Sequence, residues 1–175
     1  MLHINIYDGR VDFMNKDTTQ IFMTELDTYL FGQGTHYEIY KLMGAHPTKQ
    51  KGKDGVYFAV WAPRAQEVAV VGDFNGWDPN ENIMKCDNDM GIYQLFIPGV
   101  KSGDLYKFCI TSPSGELLYK ADPYANYAEK RPGNASRVYD ITNFKWNDSV
   151  WMKNRQNYDV NKNAMSIYEV HPGSW

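Results

Sequence analysis

The sequence predicts a mainly β fold, a sandwich preceded by short helices, and three observations predict it. From residue 56 onward, short runs rich in Val, Ile, Tyr and Phe recur at 56–61, 67–71, 93–97, 105–111, 117–119 and 137–139. Each is too short for an ordinary helix and has the texture of a strand. Between them stand turn formers: Ala62-Pro63, Asn75-Gly76, Asp87-Asn88-Asp89, Pro98-Gly99, Ser102-Gly103 and Ser112-Pro113-Ser114-Gly115. Regular spacing of short strands and turns is the pattern of a sandwich. The third observation is composition: 43% hydrophobic, 22% charged and 15% aromatic, with 13 Tyr and 5 Trp. Aromatic and β-branched side chains fit a pleated, half-buried surface. A chain of 175 residues buries one such core and leaves a small appendage at each end.

Taken in order, residues 1–20 alternate weakly at Leu2, Ile4 and Ile6 and then turn polar, with no role assigned to them. Asp27 reads as the cap of a helical piece carrying Tyr29 and Leu30. A second piece from Thr35 places Tyr37, Tyr40 and Met43 on one face, and Gly32 and Gly34 break the chain between the two. Gly44-Ala45-His46-Pro47 reads as the end of that piece and 49–55 as a loop. In 105–110, alternation puts Tyr106, Phe108 and Ile110 on one face and Leu105, Lys107 and Cys109 on the other, with Lys107 outward. Residues 121–133 read as a long crossing loop, and Asp148 as the cap of a helix with Trp151 and Met152 on its first turn. After the polar stretch 154–163, residues 165–170 read as a fresh strand with nothing following to pair with, as at the front of a longer protein. The expected divisions are 1–48, an N-terminal extension; 49–144, the sandwich; and 145–175, a linker and the start of a further domain.

Charge and motifs exclude several functions. A net charge of −3 without a basic stripe argues against a nucleic-acid partner, and Lys49, Lys51 and Lys53 read as a solvated loop. Cys86 and Cys109 lack metal-ligand spacing and read as free thiols. Residues 1–25 hold no apolar core of signal-peptide length and no run approaches a membrane span, so the simplest expectation is a cytoplasmic protein without a membrane partner. The carboxylates Asp54, Asp73, Asp78, Asp87, Asp89 and Asp104 are scattered over turns, and no P-loop or His/Cys cluster accompanies them. His171 reads as a strand-end residue satisfied by backbone. No catalytic residue, metal or cofactor is therefore expected on this chain.

The stretch 68–77, Val68-Ala69-Val70-Val71-Gly72-Asp73-Phe74-Asn75-Gly76-Trp77, runs from a strand into a turn that ends on a large aromatic ring. An indole held there is suited to cover the apolar C–H face of a sugar while neighbouring Asn, Asp and Lys groups bond its hydroxyls. The competing reading is a lid over the sandwich edge, since a lone aromatic is more often packing than binding.

Assembled in order, several motifs resemble the front of a glycogen branching enzyme: Val60-Trp61-Ala62-Pro63-Arg64-Ala65, Val71-Gly72-Asp73-Phe74-Asn75-Gly76-Trp77, Tyr106-Lys107-Phe108, Lys120-Ala121-Asp122-Pro123-Tyr124, Arg131-Pro132-Gly133 and Ser166-Ile167-Tyr168-Glu169-Val170-His171. Thr35-His36-Tyr37 and Gly44-Ala45-His46-Pro47 resemble the short helical segment before its sandwich, so the likeness covers about residues 27–175. The resemblance implies an immunoglobulin-like β-sandwich that is a carbohydrate-binding module of family 48. It implies that 167–170 open a missing (β/α)₈ barrel of glycoside hydrolase family 13, which would be this chain's partner and would hold the catalytic carboxylates. The chain alone would then be inactive, and its ligand an α-glucan such as glycogen or a maltooligosaccharide. The parent's reaction would transfer an α-1,4-glucan segment to form an α-1,6 branch through a covalent glucosyl-enzyme. It further implies a carbohydrate-binding set of Trp77, Lys107, Asn75, Leu118 and Asn134. In that set Leu117 and Leu118 stand where a second Trp is usual, and Asn134 and Ser136 stand in loose register near the last strand. Pro172 departs from the family's usual Leu, while Gly173-Ser174-Trp175 keeps its form. The alternatives are a sandwich that docks the barrel without binding glucan, and a protein-interaction module. The strand at 165–170, left without its barrel neighbours, is expected either to pack against its own sandwich or, the favoured outcome, to pair with a second copy of the fragment.

Overall fold

The strand Lys53–Trp61 (β4) carries the architecture because both of its faces are apolar. The computed structural model describes residues 6–7, 10–11, 23–86, 89–159 and 161–174, and in it Val56 to Val60 of β4 are all buried. Val56, Phe58 and Val60 point into the main core, and Tyr57 and Ala59 point to the opposite side. A strand with two buried faces must be central, and β4 is.

Before it come the pair Ile6–Tyr7 (β1) and Arg10–Val11 (β2), the helix Glu25–Gly32 (α1) and the strand Gly44–Gln50 (β3). After it come Glu67–Gly72 (β5), Lys85–Cys86 (β6), Ile92–Pro98 (β7), Leu105–Thr111 (β8), Leu117–Lys120 (β9), Tyr127–Ala128 (β10), Ser136–Arg137 (β11) and the helix Ser149–Arg155 (α2). One sheet has the order β3-β4-β7-β6 and the other β10-β11-β8-β5, with β9 also paired to β8; every pairing is antiparallel. Val68 and Val70 of β5 and Tyr106 and Phe108 of β8 meet Val56, Phe58 and Val60 of β4 between the sheets. This is the packing of two sheets on their inner faces.

The outer face of the first sheet is covered by the N-terminal segment, whose Met23, Phe31 and Ile39 pack on Met43, Tyr57, Ala59 and Ile92. Gln94 fastens the cover: its Oε1 accepts from the Tyr57 hydroxyl at 2.5 Å and from the Met23 backbone N–H at 3.0 Å. The outer face of the second sheet carries a smaller apolar patch, Ala69, Val71 and Cys109, with Trp77 laid against it.

Several expectations are corrected. Asp27 is not the cap of α1; Thr24 is, and Asp27 stands at the third helical position, where the two close a capping box. The second helical piece is only a short 3₁₀ turn, Ile39–Lys41, because Gly34 (φ 68°) has already turned the chain. Gly44–Gln50 is a strand rather than a helix end and loop. Pro47 is tolerated there because β3 is an edge strand, paired on one side only. The two compact units are residues 1–141 and 142–175. In the second unit, Asp148 stands at the N-terminus of α2 without a side-chain capping bond. Residues 165–170, expected as a strand, form neither strand nor helix; Ile167 and Tyr168 are exposed, and a strand needs a partner to satisfy its backbone. Residues 1–5 and 12–20, named in the sequence analysis, lie outside the described residues.

Candidate functional site

At the end of β5 the chain passes so close to β8 that a Cβ on Gly72 would stand 2.3 Å from the Leu105 carbonyl oxygen. Only glycine fits there. Asp73–Asn75 then forms a 3₁₀ turn. The Asn75 side chain holds this turn with three hydrogen bonds: its Oδ1 accepts from Gly72 N–H at 2.9 Å, and its Nδ2 donates to the Val70 carbonyl at 2.9 Å and to Asn82 Oδ1 at 2.8 Å. Gly76 follows at φ 62° and Trp77 at φ 64°. A left-handed conformation is ordinary for Gly76 but costly for a bulky Trp, and persists only where the surroundings over-determine it. Here they do: Trp77 N–H bonds the Gly72 carbonyl at 3.0 Å, and the indole Nε1–H donates to Asp73 Oδ1 at 3.2 Å. Asp73 is fixed in turn by the Leu105 N–H at 3.2 Å. The indole is thus pinned, partly buried, over Ala69, Val71 and Cys109.

Pairing register decides which side chains share that face. Directly opposed residues of an antiparallel pair lie on one side of the sheet. Val71 opposes Lys107, and Ala69 opposes Cys109, which opposes Tyr119. Lys107 and Tyr119 therefore stand on the same outer face as the Trp77 patch. The Lys107 ammonium donates to Asn134 Oδ1 at 2.5 Å. Asn134 is delivered by the connection between β10 and β11, closed by the Glu129 N–H to the Ala135 carbonyl at 2.9 Å and the Ala135 N–H to Glu129 Oε2 at 3.1 Å. Tyr119 is about half exposed. Partial desolvation, the Cys109 thiol with which it hydrogen-bonds, and the Asp78 carboxylate all push its hydroxyl pKa up. Burial likewise raises the Cys109 thiol against the opposing hydrogen bond with Tyr119. At neutral pH both stay protonated, the Tyr119 O–H donates to the Cys109 sulfur, and the phenol oxygen is left as an acceptor on the face.

Trp77, Lys107 and Asn134, predicted together, are brought to one side of the second sheet. Asn75 and Leu118 are not available there. Asn75 spends both amide hydrogens and its carbonyl inside the turn, so its role is to hold the indole's support. Leu118 opposes Ile110, whose side chain packs on the main core, so Leu118 faces the core side and Tyr119 takes the outward position. Tyr119 is the residue that sequence reasoning missed; an aromatic next to the leucines in that hairpin was its only signal.

The face is anchored from behind by a buried carboxylate. Asp122 Oδ2 accepts from the Tyr106 hydroxyl at 2.6 Å, its Oδ1 accepts from the Tyr124 N–H at 2.8 Å, and its own N–H donates to Ser136 Oγ at 2.8 Å. These bonds tie the segment after β9 to β8 and β11. Burial raises the Asp122 carboxyl above its ordinary value, opposed by the bonds from Tyr106 and Tyr124. The Tyr106 phenol is pushed well up by burial and by Asp122, so it remains the donor. Among the described residues no group of His, Cys, Asp and Glu is arranged to hold a metal ion, and no helix is long and apolar enough to cross a membrane.

Residues 42–125 match the family described as Carbohydrate-binding module 48 (Isoamylase N-terminal domain). The chain is similar to a part of bacterial 1,4-alpha-glucan branching enzymes. It is 59% identical over 156 residues to the 1,4-alpha-glucan branching enzyme GlgB of Butyrivibrio fibrisolvens, which covers 89% of this chain and 24% of that protein. It is 53% identical over 152 residues to the GlgB of Halothermothrix orenii, covering 87% and 24%. The chain therefore spans about a quarter of the length of these curated relatives. Among solved structures, ligand-free PulA from Klebsiella pneumoniae is 28% identical over 56% of this chain and 9% of that one, with a TM-score of 0.45, too loose a likeness to place any residue.

Proposed function

We propose that this chain is the N-terminal glucan-binding and scaffolding module of a 1,4-alpha-glucan branching enzyme, and that the outer face of the second sheet holds the glucan. The observation that carries this reading is the convergence of a partly buried, conformationally strained Trp77 with Lys107, Asn134 and Tyr119 on that face. The indole's free side would cover the C–H face of a glucose residue. Of the three ammonium hydrogens of Lys107, one serves Asn134 and two remain for sugar hydroxyls, as does the Asn134 amide NH₂. The Tyr119 hydroxyl oxygen, its hydrogen directed to Cys109, adds an acceptor. The parent would transfer an α-1,4-glucan segment into an α-1,6 branch on a catalytic barrel outside this chain, with the module keeping the polymer near the reaction.

A second reading, a sandwich that only docks the barrel, draws on the contact of Trp77 with Ala69, Val71 and Cys109. Calorimetric titration of maltoheptaose into the parent chain and Trp77→Ala separates them. The binding reading expects a loss of about 1–3 kcal/mol, on the scale of aromatic stacking on nucleobases. Affinity equal to the parent's, with only stability reduced, would favour the second.

A further inference from the structure

A concave site lies on the same sheet face, beyond Leu105, and Trp77, Lys107, Tyr119 and Asn134 do not line it. Its volume is about 550 Å³, and it is lined by Ser102, Gly103, Tyr127, Lys130, Arg137 and Tyr139 among others. Register places it on the outer side. Tyr106 is in the core, so its neighbour Leu105 points outward; Leu105 opposes Arg137, and Arg137 opposes Tyr127. Val138 is buried in the core and Tyr139 after it is exposed. Tyr127 and Tyr139 are stacked with ring centroids 5.3 Å apart and planes 23° from parallel, and both remain about half exposed. Arg137 is held across the floor by a 2.7 Å bond from its Nη1 to the Gly103 carbonyl, with further N–H groups on the same fork.

We propose that this pocket is a second glucan subsite, so that the module grips a glucan along a track running from Trp77 past Lys107 and Asn134 to the Tyr127–Tyr139 pair. The inference rests on the glucan-binding reading above and extends it to a preference for chain length. Two features select a sugar polymer as occupant. The paired rings form a flat apolar platform ringed by hydroxyl and N–H donors, which suits a polyhydroxylated ring. The platform also continues the face that carries Trp77. Trp77 lies over β5 and β8, and Tyr127 is on β10, three strand spacings from β5 in the sheet order. At about 4.8 Å per spacing that is about 14 Å, more than one sugar residue covers. A long oligosaccharide reaches both sites and a disaccharide only one.

The test titrates maltose and maltoheptaose into the parent chain, Trp77→Ala, Tyr127→Ala, Tyr139→Ala and Tyr127→Phe, with near-ultraviolet circular dichroism as the check on folding. Tyr127→Ala and Tyr139→Ala are expected to weaken maltoheptaose about ten-fold while leaving maltose unchanged, on the scale of one stacking ring. Tyr127→Phe keeps the ring and is expected to keep the affinity, which separates loss of the platform from loss of fold. If the parent binds maltoheptaose through Trp77 but the tyrosine variants match it at both lengths, the second subsite is overturned and the first stands. If neither the parent nor Trp77→Ala binds glucan, the functional reading itself fails.

Discussion

Replacing Tyr106 with Phe removes one oxygen atom from the middle of the protein and should unsettle both stability and the outer face. The ring would stay. Its edge contacts with Phe58 (centroids 5.1 Å apart, 67°) and Phe108 (5.9 Å, 79°) do not depend on the hydroxyl, so little packing is lost. What is lost is the 2.6 Å bond to Asp122, which is 6% exposed and would retain a buried carboxylate oxygen without that donor. Leaving a buried acceptor unpaired costs about 1–3 kcal/mol, with more for a charged one. At about 2–4 °C per kcal/mol for a chain of this size, the melting temperature should fall by several degrees. In urea the midpoint should drop with an unchanged slope, because the surface exposed on unfolding is the same. The pH dependence gives a second readout. The Asp122 carboxyl is already raised by burial, and the lost bond opposed that rise. In the variant the folded state therefore binds a proton still more readily than the unfolded chain. A group whose folded pKa is raised contributes stability at pH below its unfolded value, and that contribution is lost as pH rises through the folded value. The variant's deficit should thus be largest at pH above its raised folded value and shrink as pH falls from that value towards the less raised folded value of the unsubstituted protein, both above the ordinary carboxylate range. An unchanged urea midpoint, or a deficit that grows in acid, would refute the reasoning.

Two further substitutions follow from the same geometry. Gly72→Ala brings a Cβ to within 2.3 Å of a backbone oxygen, so β5 and β8 must part; overpacking of this kind costs about 1–3 kcal/mol, and affinity for maltoheptaose should fall with the thermal midpoint because the Trp77 turn starts there. Leu117→Trp and Leu118→Trp should diverge: Leu117 opposes Thr111 on the outward side, so its Trp adds an aromatic near Tyr119 and tightens binding, whereas Leu118→Trp forces an indole toward the core side and lowers the urea midpoint without tightening.

The strands from 56 onward were legible because β-branched and aromatic runs alternate with turn formers, and the antiparallel sandwich follows from that pattern. The match of residues 42–125 to the carbohydrate-binding family agrees with the resemblance read from the motifs. The edge strand Gly44–Gln50 was not legible, since Gly44 and Pro47 are breakers everywhere except on an edge. The cover of α1 over the first sheet had a signal that went unused: the unbroken apolar run from Val56 to Val60 leaves no solvent face. At the site, residue types were readable but facing was not. Whether Leu118 or Tyr119 points outward turns on a one-residue register between β8 and β9, set by the Ser112–Gly115 hairpin rather than by either strand. Asn75 looked like a ligand because asparagine suits sugar hydroxyls, yet its amide is consumed by the turn it builds. The run 165–170 has strand composition but no strand neighbour among the described residues, and composition alone does not make a ladder.

The claim that a glucan lies on the outer face of the second sheet is tested most directly by amide and indole N–H chemical-shift mapping as maltoheptaose is added to the isotopically labelled chain. Of the five tryptophans, the Trp77 indole N–H should move most, because it sits on the face and bonds Asp73. Backbone signals of Lys107, Tyr119 and Asn134 should move with it, while Tyr57, Ala59 and Ile92, covered by the N-terminal segment, stay still. Shifts centred on Trp61 and α1, or a spectrum that saturating maltoheptaose leaves unchanged, would contradict the account.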